Sequence, residues 1–493
     1  MAKKHTLIKD FRIFPVSKKQ SVLFCPDRQL LFQIDDAIKD VLADGSNLQK
    51  KGPGEALREL ESMCGQGVFD APLRGSRRKR RYKIRRLELH ISNSCNLACS
   101  YCFAMGGDYG LRIKNKNMKW RTARRVIDYL LEQNRGSRDA VSIQFFGGEP
   151  LLNIAVLKKS LAYIEEKCKN DRYPYIEKSI ATNGTLFTDE AIDILRRYNC
   201  VPWVSLDACA ASHDKNRPYR QGGPSFKDII KGLKRVRDIA PGLPVVICTT
   251  LGIEDDLEDI IRRQSGLDST HLNLKVRFSL YDKCEYRRSD YNGLLTRMKE
   301  GLKEMHPVTP KNKRYSSFMT PFMFYHLHTG SAIYSGCGAG INRLAVNSDG
   351  DVFICSVGMS AGEKLCNISE DSFREKIKKK VDSIYAGSRA DEIECANCWS
   401  RNLCNGPCIL GRETPSALPG KSRVCDFIRL LNEFYIRSYA AMEYKDAEGL
   451  FGLHRDTEGL LRKIMLLYEV RDIKNQGLKH IKYLTPVTGG AQP

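Results

Sequence analysis

The chain has 493 residues, of which 42% are hydrophobic and 28% are charged, and its formal net charge is +22. These proportions are ordinary for a globular protein and exclude a mainly disordered chain, and the length corresponds to about three or four domains. No signal-type apolar segment opens the sequence and no apolar run is long enough to span a membrane, so we expect a cytoplasmic protein without membrane contact.

The amino-terminal part shows three short β-type runs, FRIF, SVLF and LLFQI, followed by helical patterns over residues 35–42 and 55–63. This prefix is compatible with a small winged-helix-like module. It is equally compatible with a cap on the sheet of the next domain. Nine of the thirteen residues from 74 to 86 are Lys or Arg, which is typical of a solvated linker.

From about residue 86 to residue 282, strand-like runs alternate with amphipathic segments, and this repetition predicts a parallel sheet or barrel whose ligand site lies at the carboxyl ends of its strands. The predicted helices cover residues 121–133, 155–169 and 226–239. The predicted strands are LELHIS, AVSIQFF, IEKSIATNG, VPWVSLD, PVVICTTLG and LKVRFSLYD. Between residues 336 and 425 the periodicity fades and cysteines dominate, which favours a loop-rich domain organised by metal, and residues 427–470 have a helical pattern.

Eighteen cysteines in a cytosolic chain do not predict a disulfide framework, because the cytosol keeps thiols reduced, and metal or cluster ligation is the usual reason for such a count. Cys95, Cys99 and Cys102 follow the first predicted strand of the βα region, separated by three and two residues. Three thiolates hold three of the four irons of a cubane and leave one open to a chelating amino acid. A zinc site is the alternative, with His90 as its candidate fourth ligand.

This spacing, with the aromatic Tyr101 directly before the last cysteine, resembles the radical S-adenosylmethionine (SAM) superfamily. The resemblance implies a partial (β/α)6 TIM-type barrel and a [4Fe-4S] cluster whose open iron binds SAM. It also implies that reductive cleavage of SAM yields a 5'-deoxyadenosyl radical that abstracts hydrogen from a substrate. Gly147, Gly148 and Glu149, followed by a proline, match the superfamily's turn against the amino group of SAM.

Other strand ends match the superfamily in the expected order. The third strand ends in Thr-Asn-Gly at residues 182–184, which borders the site in relatives. By resemblance, Ser205 would bind the ribose and Arg217 the carboxylate of SAM, whereas His213 and Asp214 are better interpreted as a local loop cap. Leu280 would line the adenine pocket, with ordinary core packing as its alternative.

A second set of seven cysteines lies near the carboxyl end, and by itself it is also compatible with a zinc ribbon or knuckle. The whole pattern resembles the SPASM domain, which carries two auxiliary [4Fe-4S] clusters in many peptide- and protein-modifying relatives. By resemblance, one cluster would be held by Cys395, Cys398, Cys404 and Cys425, and the other by Cys337, Cys355 and Cys408. The second set has no fourth cysteine. Its open iron would bind a substrate thiolate or another residue, and Cys366 and Cys284 are candidates that also suit a buried structural role.

The resemblances imply an α/β chain in five parts. These are a winged-helix-like leader-recognition module (1–73), a basic linker (74–86), the radical SAM core (87–325), the loop-rich SPASM domain (330–430) and a helical tail (431–493).

The expected function is maturation of a ribosomally made precursor peptide through a crosslink, a thioether in particular. The expected partners are the leader-bearing precursor and an electron donor such as flavodoxin or ferredoxin, and nucleic acid is not an expected partner. Three alternatives stay open: a formylglycine-forming sulfatase-maturating type, a radical enzyme acting on RNA, and a non-enzymatic zinc-stabilised nucleic-acid binder. Sulfatase-maturating relatives carry an aspartate base after the cysteine that matches Cys355, and Ser356 stands there in this chain.

Overall fold

In the residues that it describes, a computed structural model shows two β-sheets, the helices that cover them and the loops that join their strands. Within the described part of the chain, no helix is both long and apolar enough to cross a membrane. The described residues are 11–18, 20–26, 29–43, 54–66, 82–137, 139, 141–169, 173–207, 209–251, 277–280, 293, 323, 326–327, 338–386, 397–404, 421–440, 479 and 481–484.

The amino-terminal sheet is built from both ends of the chain. Its elements are β1 (Arg12–Pro15), β2 (Ser21–Cys25), β3 (Leu30–Ile34), helices α1 (Asp36–Ala43) and α2 (Glu55–Gly65), and β13 (Ile481–Tyr483). The strands are antiparallel in the order β1-β2-β3-β13. The three predicted strands and two predicted helices are confirmed, whereas the sequence pattern did not predict β13.

The central sheet contains the six strands predicted for the βα region, all parallel to one another. They are β4 (Arg86–Ser92), β5 (Val141–Gly147), β6 (Ile176–Thr182), β7 (Cys200–Ser205), β8 (Val246–Leu251) and β9 (Arg277–Leu280). Their sequential order in the sheet brings their carboxyl ends to one edge, where the motif residues lie. This α/β arrangement is consistent with the partial barrel that the resemblance implied.

Helices cover this sheet because their apolar residues recur at helical spacing. In α3, Ala123, Val126, Ile127 and Leu130 form one buried stripe, which is the i, i+3, i+4, i+7 pattern of a core-facing helix. The three helices predicted for this region are confirmed to within two residues. The helices are α3 (Trp120–Gln133), α4 (Ile154–Lys167), α5 (Asp189–Arg197), α6 (Ala210–Asn216) and α7 (Phe226–Ile239).

The cysteine-rich region contributes more regular structure than its faded periodicity predicted. Its elements are β10 (Arg343–Val346), β11 (Asp351–Phe353), α8 (Ser356–Ser360), β12 (Cys366–Asn367), α9 (Phe373–Ala386) and α10 (Lys421–Ala440). Strand β10 pairs in parallel with β4, and β11 and β12 extend the sheet beyond it. The central sheet therefore continues into the carboxyl-terminal region without a break in its core.

The amino-terminal sheet is buried on both faces, because alternate residues of its strands point to opposite sides. On one face, Leu23 and Phe32 pack with residues of α1 and α2. On the other, Phe24 packs with Ile436 of α10 and with Leu403. This sheet is thereby attached to the cysteine-rich region.

Candidate active site

Three cysteines, Cys95, Cys99 and Cys102, lie half-buried in the loop that follows β4 at the carboxyl edge of the parallel sheet. The loop is fastened to the segment after α6, where the N–H of Ala98 donates to the carbonyl oxygen of Pro218 at 2.8 Å. Two segments that are distant in the sequence therefore position the cysteine loop together.

The thiols lie in an environment of N–H donors. The N–H of Leu97 donates to Cys95 Sγ at 3.4 Å, and the N–H of Gly106 donates to Cys102 Sγ at 3.3 Å. Burial raises the pKa of Cys95 to about 12 and also raises that of Cys99, because the thiolate is poorly solvated there. Metal binding deprotonates a coordinating thiol outright, and hydrogen bonds to sulfur help to hold the anionic form.

The donor set of this loop fits an iron-sulfur cluster. Within the described residues, no three His, Cys, Asp or Glu side chains lie close enough to enclose a single metal ion. A cubane makes a different demand, because each thiolate binds a different iron atom. The three thiols lie on one short loop, where Cys99 is close enough to raise the pKa of Cys95, and Cys102 that of Cys99. With N–H donors at two of the sulfurs, they meet that demand at three irons.

The turn after β5 passes so close to the cysteine loop that only glycine fits. A Cβ atom on Gly147 would lie 1.9 Å from the carbonyl oxygen of Ser92, and Gly147 has a positive φ of 141°. A Cβ atom on Gly148 would lie 2.4 Å from the carbonyl oxygen of Ser94. The absence of side chains at both positions lets the backbone of the turn face the space beside the cysteines.

Glu149 is fully buried and anchors this turn to the end of β6. Its carboxylate accepts hydrogen bonds from the Thr182 hydroxyl at 2.8 Å and from the N–H groups of Asn183 at 2.7 Å and Leu151 at 3.0 Å. Burial raises the pKa of Glu149 to about 7, while these bonds favour the ionised form and lower it. The carboxylate therefore holds the ends of two adjacent strands in register.

A buried ion pair lies beside the cysteine loop. Asp207 accepts from Arg217 Nε at 3.1 Å and Nη2 at 3.2 Å, and the Tyr101 hydroxyl also donates to this carboxylate. The guanidinium lies 4.9 Å from the centre of the Tyr101 ring and interacts with the Cys99 thiol. Burial lowers the pKa of Arg217, but Asp207 and Tyr101 outweigh it and raise the pKa above its usual value, so Arg217 is a fixed positive charge next to Cys99.

His213 and Asp214 take part in local hydrogen bonds, as expected for a loop cap. His213 Nδ1 accepts from the N–H of Asp207 at 3.1 Å, which leaves the proton on Nε2 to donate to Ser225 Oγ at 3.1 Å. Asp214 accepts from the N–H groups of Ser225 at 2.9 Å and Phe226 at 2.8 Å. Burial lowers the pKa of His213 to about 4, so the ring is neutral at ordinary pH and cannot supply a cation to the site.

Two further predicted SAM contacts are only partly described. Ser205 is half-buried at the end of β7, on the same edge as the other motif residues. Leu280 ends β9, and its side chain lies outside the described residues.

The second cysteine set is described in part. Cys355 is buried and directly precedes α8, and Cys398 and Cys404 flank the turn at residues 399–403. Cys366 is buried in β12, with its thiol 3.7 Å from a backbone carbonyl oxygen, which suits a structural role. Cys337, Cys395, Cys408 and Cys284 lie outside the described residues, as does the side chain of Cys425 in α10.

Sequence reasoning missed a buried hydrogen-bond chain that links β4 to the second cysteine set. Ser356 donates to the Glu88 carboxylate through both its hydroxyl and its N–H, and Arg343 lies 3.5 Å from Glu88. Because the Ser356 hydroxyl proton is used on Glu88, His90 Nε2 donates to Ser356 Oγ at 2.9 Å. The Tyr109 hydroxyl then donates to His90 Nδ1 at 3.0 Å. The donors therefore run in one direction, from tyrosine to histidine to serine to glutamate.

This chain removes His90 from metal binding. Nε2 carries the proton that it donates to Ser356, and the lone pair of Nδ1 accepts from Tyr109. Neither nitrogen is therefore available as the fourth zinc ligand that the sequence suggested, although burial, which lowers the pKa to about 3, keeps the ring neutral. The polar residues at alternate positions of β4 were the available signal, since each of them has to find a partner inside the fold.

Comparisons with known proteins agree with this geometry. Residues 89–263 match the profile of the radical SAM superfamily. The chain is 26% identical to the uncharacterised protein MJ0907 of Methanocaldococcus jannaschii over 62% of this chain and 95% of that protein. It is 32% identical to the radical SAM cyclopropyl synthase TigE of Paramaledivibacter caminithermalis over 32% of this chain and 33% of that enzyme. It is 22% identical to the serine-type anaerobic sulfatase-maturating enzyme of Klebsiella aerogenes over 68% of this chain and 81% of that enzyme.

Solved structures share the fold. The enzyme anSMEcpe with bound AdoMet and a peptide superposes with a TM-score of 0.58 at 20% identity, covering 72% of this chain and 97% of that one. SuiB of Streptococcus suis bound to its precursor peptide SuiA superposes with a TM-score of 0.52 at 15% identity, covering 84% of this chain and 98% of that one.

The superfamily match spans the strands that carry the cysteine loop, the glycine turn and the Asp207–Arg217 pair. This combination confirms the predicted enzyme class and sets aside a non-enzymatic zinc protein. Residues 89–263 belong to the radical SAM superfamily, and the chain is a radical SAM enzyme.

Proposed function

We propose that this radical SAM enzyme matures a ribosomally made precursor peptide by forming a crosslink, a thioether in particular. The observation that carries the proposal is the packing of the amino-terminal sheet directly on the cysteine-rich segment. The Trp399 ring lies 5.4 Å from that of Phe14 and 6.2 Å from that of Phe24, and Asn402 donates to the carbonyl oxygen of Pro26 at 2.8 Å. A peptide held on this sheet would lie next to the segment that carries Cys398 and Cys404.

Cys95, Cys99 and Cys102 would hold the SAM-binding [4Fe-4S] cluster. When bound, this group supplies the electron that cleaves SAM and so starts hydrogen abstraction from the substrate. The residues of the chain position SAM and exclude water. Because the carboxylate of Glu149 is used inside the turn, the backbone of Gly147 and Gly148 would provide the contact with the amino group of SAM.

The remaining SAM contacts would come from the neighbouring strand ends. Arg217 would bind the carboxylate of SAM, and its orientation is already fixed by Asp207 and by the ring of Tyr101. Ser205 would bind the ribose at the end of β7, and Leu280 would line the adenine pocket at the end of β9. A pre-oriented guanidinium loses little side-chain entropy when it binds its anion.

The second cysteine set would hold two auxiliary clusters of the SPASM type. Its first group is Cys337, Cys355 and Cys408, and its second is Cys395, Cys398, Cys404 and Cys425. In the described part, the turn between Cys398 and Cys404 is closed by backbone hydrogen bonds, one of them from Leu403 to Ser400 at 3.0 Å. A tight turn of this kind brings two cysteines towards a common centre. The first group would leave one iron for a substrate thiolate, which suits a thioether product.

The amino-terminal sheet with α1 and α2 would act as the winged-helix-like module that recognises the leader of the precursor. SuiB binds a precursor peptide and anSMEcpe binds a peptide. A reduced flavodoxin or ferredoxin would deliver the electrons.

The test is reconstitution of the anaerobic protein with SAM, a reductant and the peptide encoded beside its gene. We expect 5'-deoxyadenosine together with a peptide that has lost two hydrogens and a free thiol. The Cys95→Ala variant should yield neither product, whereas Cys404→Ala should still cleave SAM and fail to crosslink. Formation of 5'-deoxyadenosine without any change in peptide mass would contradict the proposal.

Formylglycine formation is the second candidate, because sequence similarity to sulfatase-maturating enzymes extends over two thirds of the chain. Against it, Ser356 occupies the position of the expected aspartate base and donates its proton to Glu88. A sulfatase peptide carrying Cys or Ser, incubated under the same conditions, decides between the two. An aldehyde captured by a hydrazide reagent would favour formylglycine, and an unchanged peptide would favour crosslinking.

A further inference from the structure

Strand β13 occupies one edge of the amino-terminal sheet although it comes from the far end of the chain. Ile481 pairs with Ile34, and Lys482 pairs with Gln33. The N–H of Leu484 continues the ladder by donating to the carbonyl oxygen of Leu31 at 2.8 Å. Three residues are few for a strand, so this edge position is filled by a short extended segment rather than by a full element of the sheet.

The segment is held by two apolar side chains on opposite faces. Ile481 is fully buried among the residues that α1 and α2 contribute, including Ile38 and Leu60. Leu484 is buried on the other face, beside Tyr439 of α10, whose hydroxyl donates to the carbonyl oxygen of Leu484 at 3.2 Å. An extended chain therefore needs apolar residues three positions apart to occupy this edge.

Acidic side chains of α2 hold the backbone of the segment. Glu59 accepts from the N–H of Lys479 at 3.2 Å and from the N–H of Ile481 at 2.9 Å. Glu55 pairs with the ammonium group of Lys479 at 2.7 Å. The contacts of Glu59 are made to main-chain groups, so any extended peptide can provide them. Glu55 adds a preference for a basic residue two positions before the buried isoleucine.

We infer that residues 479–484 act as an intramolecular competitor, which occupies the edge of β3 until an extended peptide displaces it. Main-chain pairing, alternate side-chain pockets and a charged contact are the parts of such a site. The peptide that fits reads basic, any, apolar, any, any, apolar. The acidic helix α2 makes an acidic peptide a poor ligand at this edge, even though the whole chain carries a net charge of +22.

The tethered segment competes with any peptide from solution. The free energy gained from two buried side chains and a short ladder is largely cancelled by the entropy lost in ordering several residues. The segment therefore stays bound at the edge because it is covalently attached to the chain. A tethered competitor acts at an effective concentration on the order of millimolar. A peptide in solution should therefore bind weakly until the segment is released.

The inference deepens the proposed function and rests on it only for the view that the bound peptide is a substrate leader. Its test measures binding without SAM or reductant, so its failure is distinguishable from failure of the crosslinking reaction. The probe is a fluorescein-labelled peptide with the sequence of residues 479–484, KHIKYL, followed by fluorescence anisotropy on the full chain.

We expect the Ile481→Asp chain to bind this probe about tenfold or more tightly than the unaltered chain. The matched control is Lys482→Glu, because Lys482 is exposed at the next ladder position and its replacement should leave binding weak. A probe with Asp in place of its isoleucine, or Glu in place of its first lysine, should bind less well. Equal binding by all three chains would overturn the inference.

If Ile481→Asp does not fold, hydrogen exchange of the unaltered chain tests whether the probe displaces residues 481–484 from the edge of β3. Excess probe should speed exchange at the amides of residues 481–484 and leave β3 protected, since one strand replaces another. Unchanged exchange at residues 481–484 under saturating probe would show that the segment is a permanent part of the sheet.

Discussion

The buried pair of Asp207 and Arg217 offers the sharpest test of the site. The Asp207→Asn substitution keeps the shape of the side chain and removes its charge. Arg217, of which only 8% is exposed, would then be left as a buried cation with no anion in direct contact. Breaking a buried pair from one side costs about 3 to 5 kcal/mol. Because the amide still accepts one hydrogen bond, we expect the lower end of this range.

A loss of about 3 kcal/mol lowers the melting temperature of a domain of this size by roughly 6 to 12 °C. Circular dichroism of the protein before cluster reconstitution measures it. The control is Asp189→Asn, whose carboxylate pairs with Arg235 on the surface and should contribute less than about 1 kcal/mol. The double change Asp207→Asn with Arg217→Gln should recover most of the loss, because no buried charge remains. A single variant that melts like its parent, or a double variant that is worse than either single one, would refute the reasoning.

Three further outcomes test other parts of the molecule. Gly148→Ala should reduce SAM affinity in equilibrium dialysis and lower the free energy of unfolding by about 1 to 3 kcal/mol, because the new Cβ would meet a backbone oxygen at 2.4 Å. The control Gly242→Ala has open space around the new Cβ and should leave both quantities unchanged. Cys95→Ala should lose the SAM-binding cluster, so that iron content falls by about four atoms per chain, and Cys168→Ala should retain it. The pKa of His90 lies near 3 in the folded chain, below its unfolded value, so the unfolded chain binds the extra proton. The contribution of His90 to stability is therefore fully present above about pH 6.5 and falls on acidification by up to roughly 1.4 kcal/mol per pH unit. Acid melts of His90→Gln should lack this part of the pH dependence.

The elements that local pattern specifies could be predicted from the sequence. Alternation in β5 and the apolar stripe of α3 depend on neighbouring residues only, and both elements lie within two residues of their predicted bounds. The cysteine loop was predictable for a similar reason, because its three cysteines lie within eight residues and their spacing suits the ligands of an iron-sulfur cluster. Helix α5 was missed, although Thr188 caps it by accepting from the N–H of Ala191 and two acidic residues follow, which is a readable start signal.

Contacts between distant segments could not be predicted. Strand β13 pairs with a strand more than four hundred residues away in the sequence. Its three residues are too few to show the alternation of apolar and polar residues that predicts a strand. The interaction of Glu88 with Ser356 spans 268 residues. Arg217 was assigned to SAM from resemblance alone, and its bidentate partner Asp207 became visible only once both side chains were placed.

Strand β4 shows how such contacts leave a trace in the sequence. Its apolar residues Leu87, Leu89 and Ile91 point into one core, so Glu88 and His90 must point to the opposite face. A strand in the middle of a sheet cannot leave polar groups facing an apolar layer, because each unpaired group would cost about 1 to 3 kcal/mol. Polar alternation in a central strand therefore requires a polar cover, and here the cover is Ser356 beside Cys355. The strand that leads to the first cysteine loop thus also positions the segment around Cys355, which belongs to the second set.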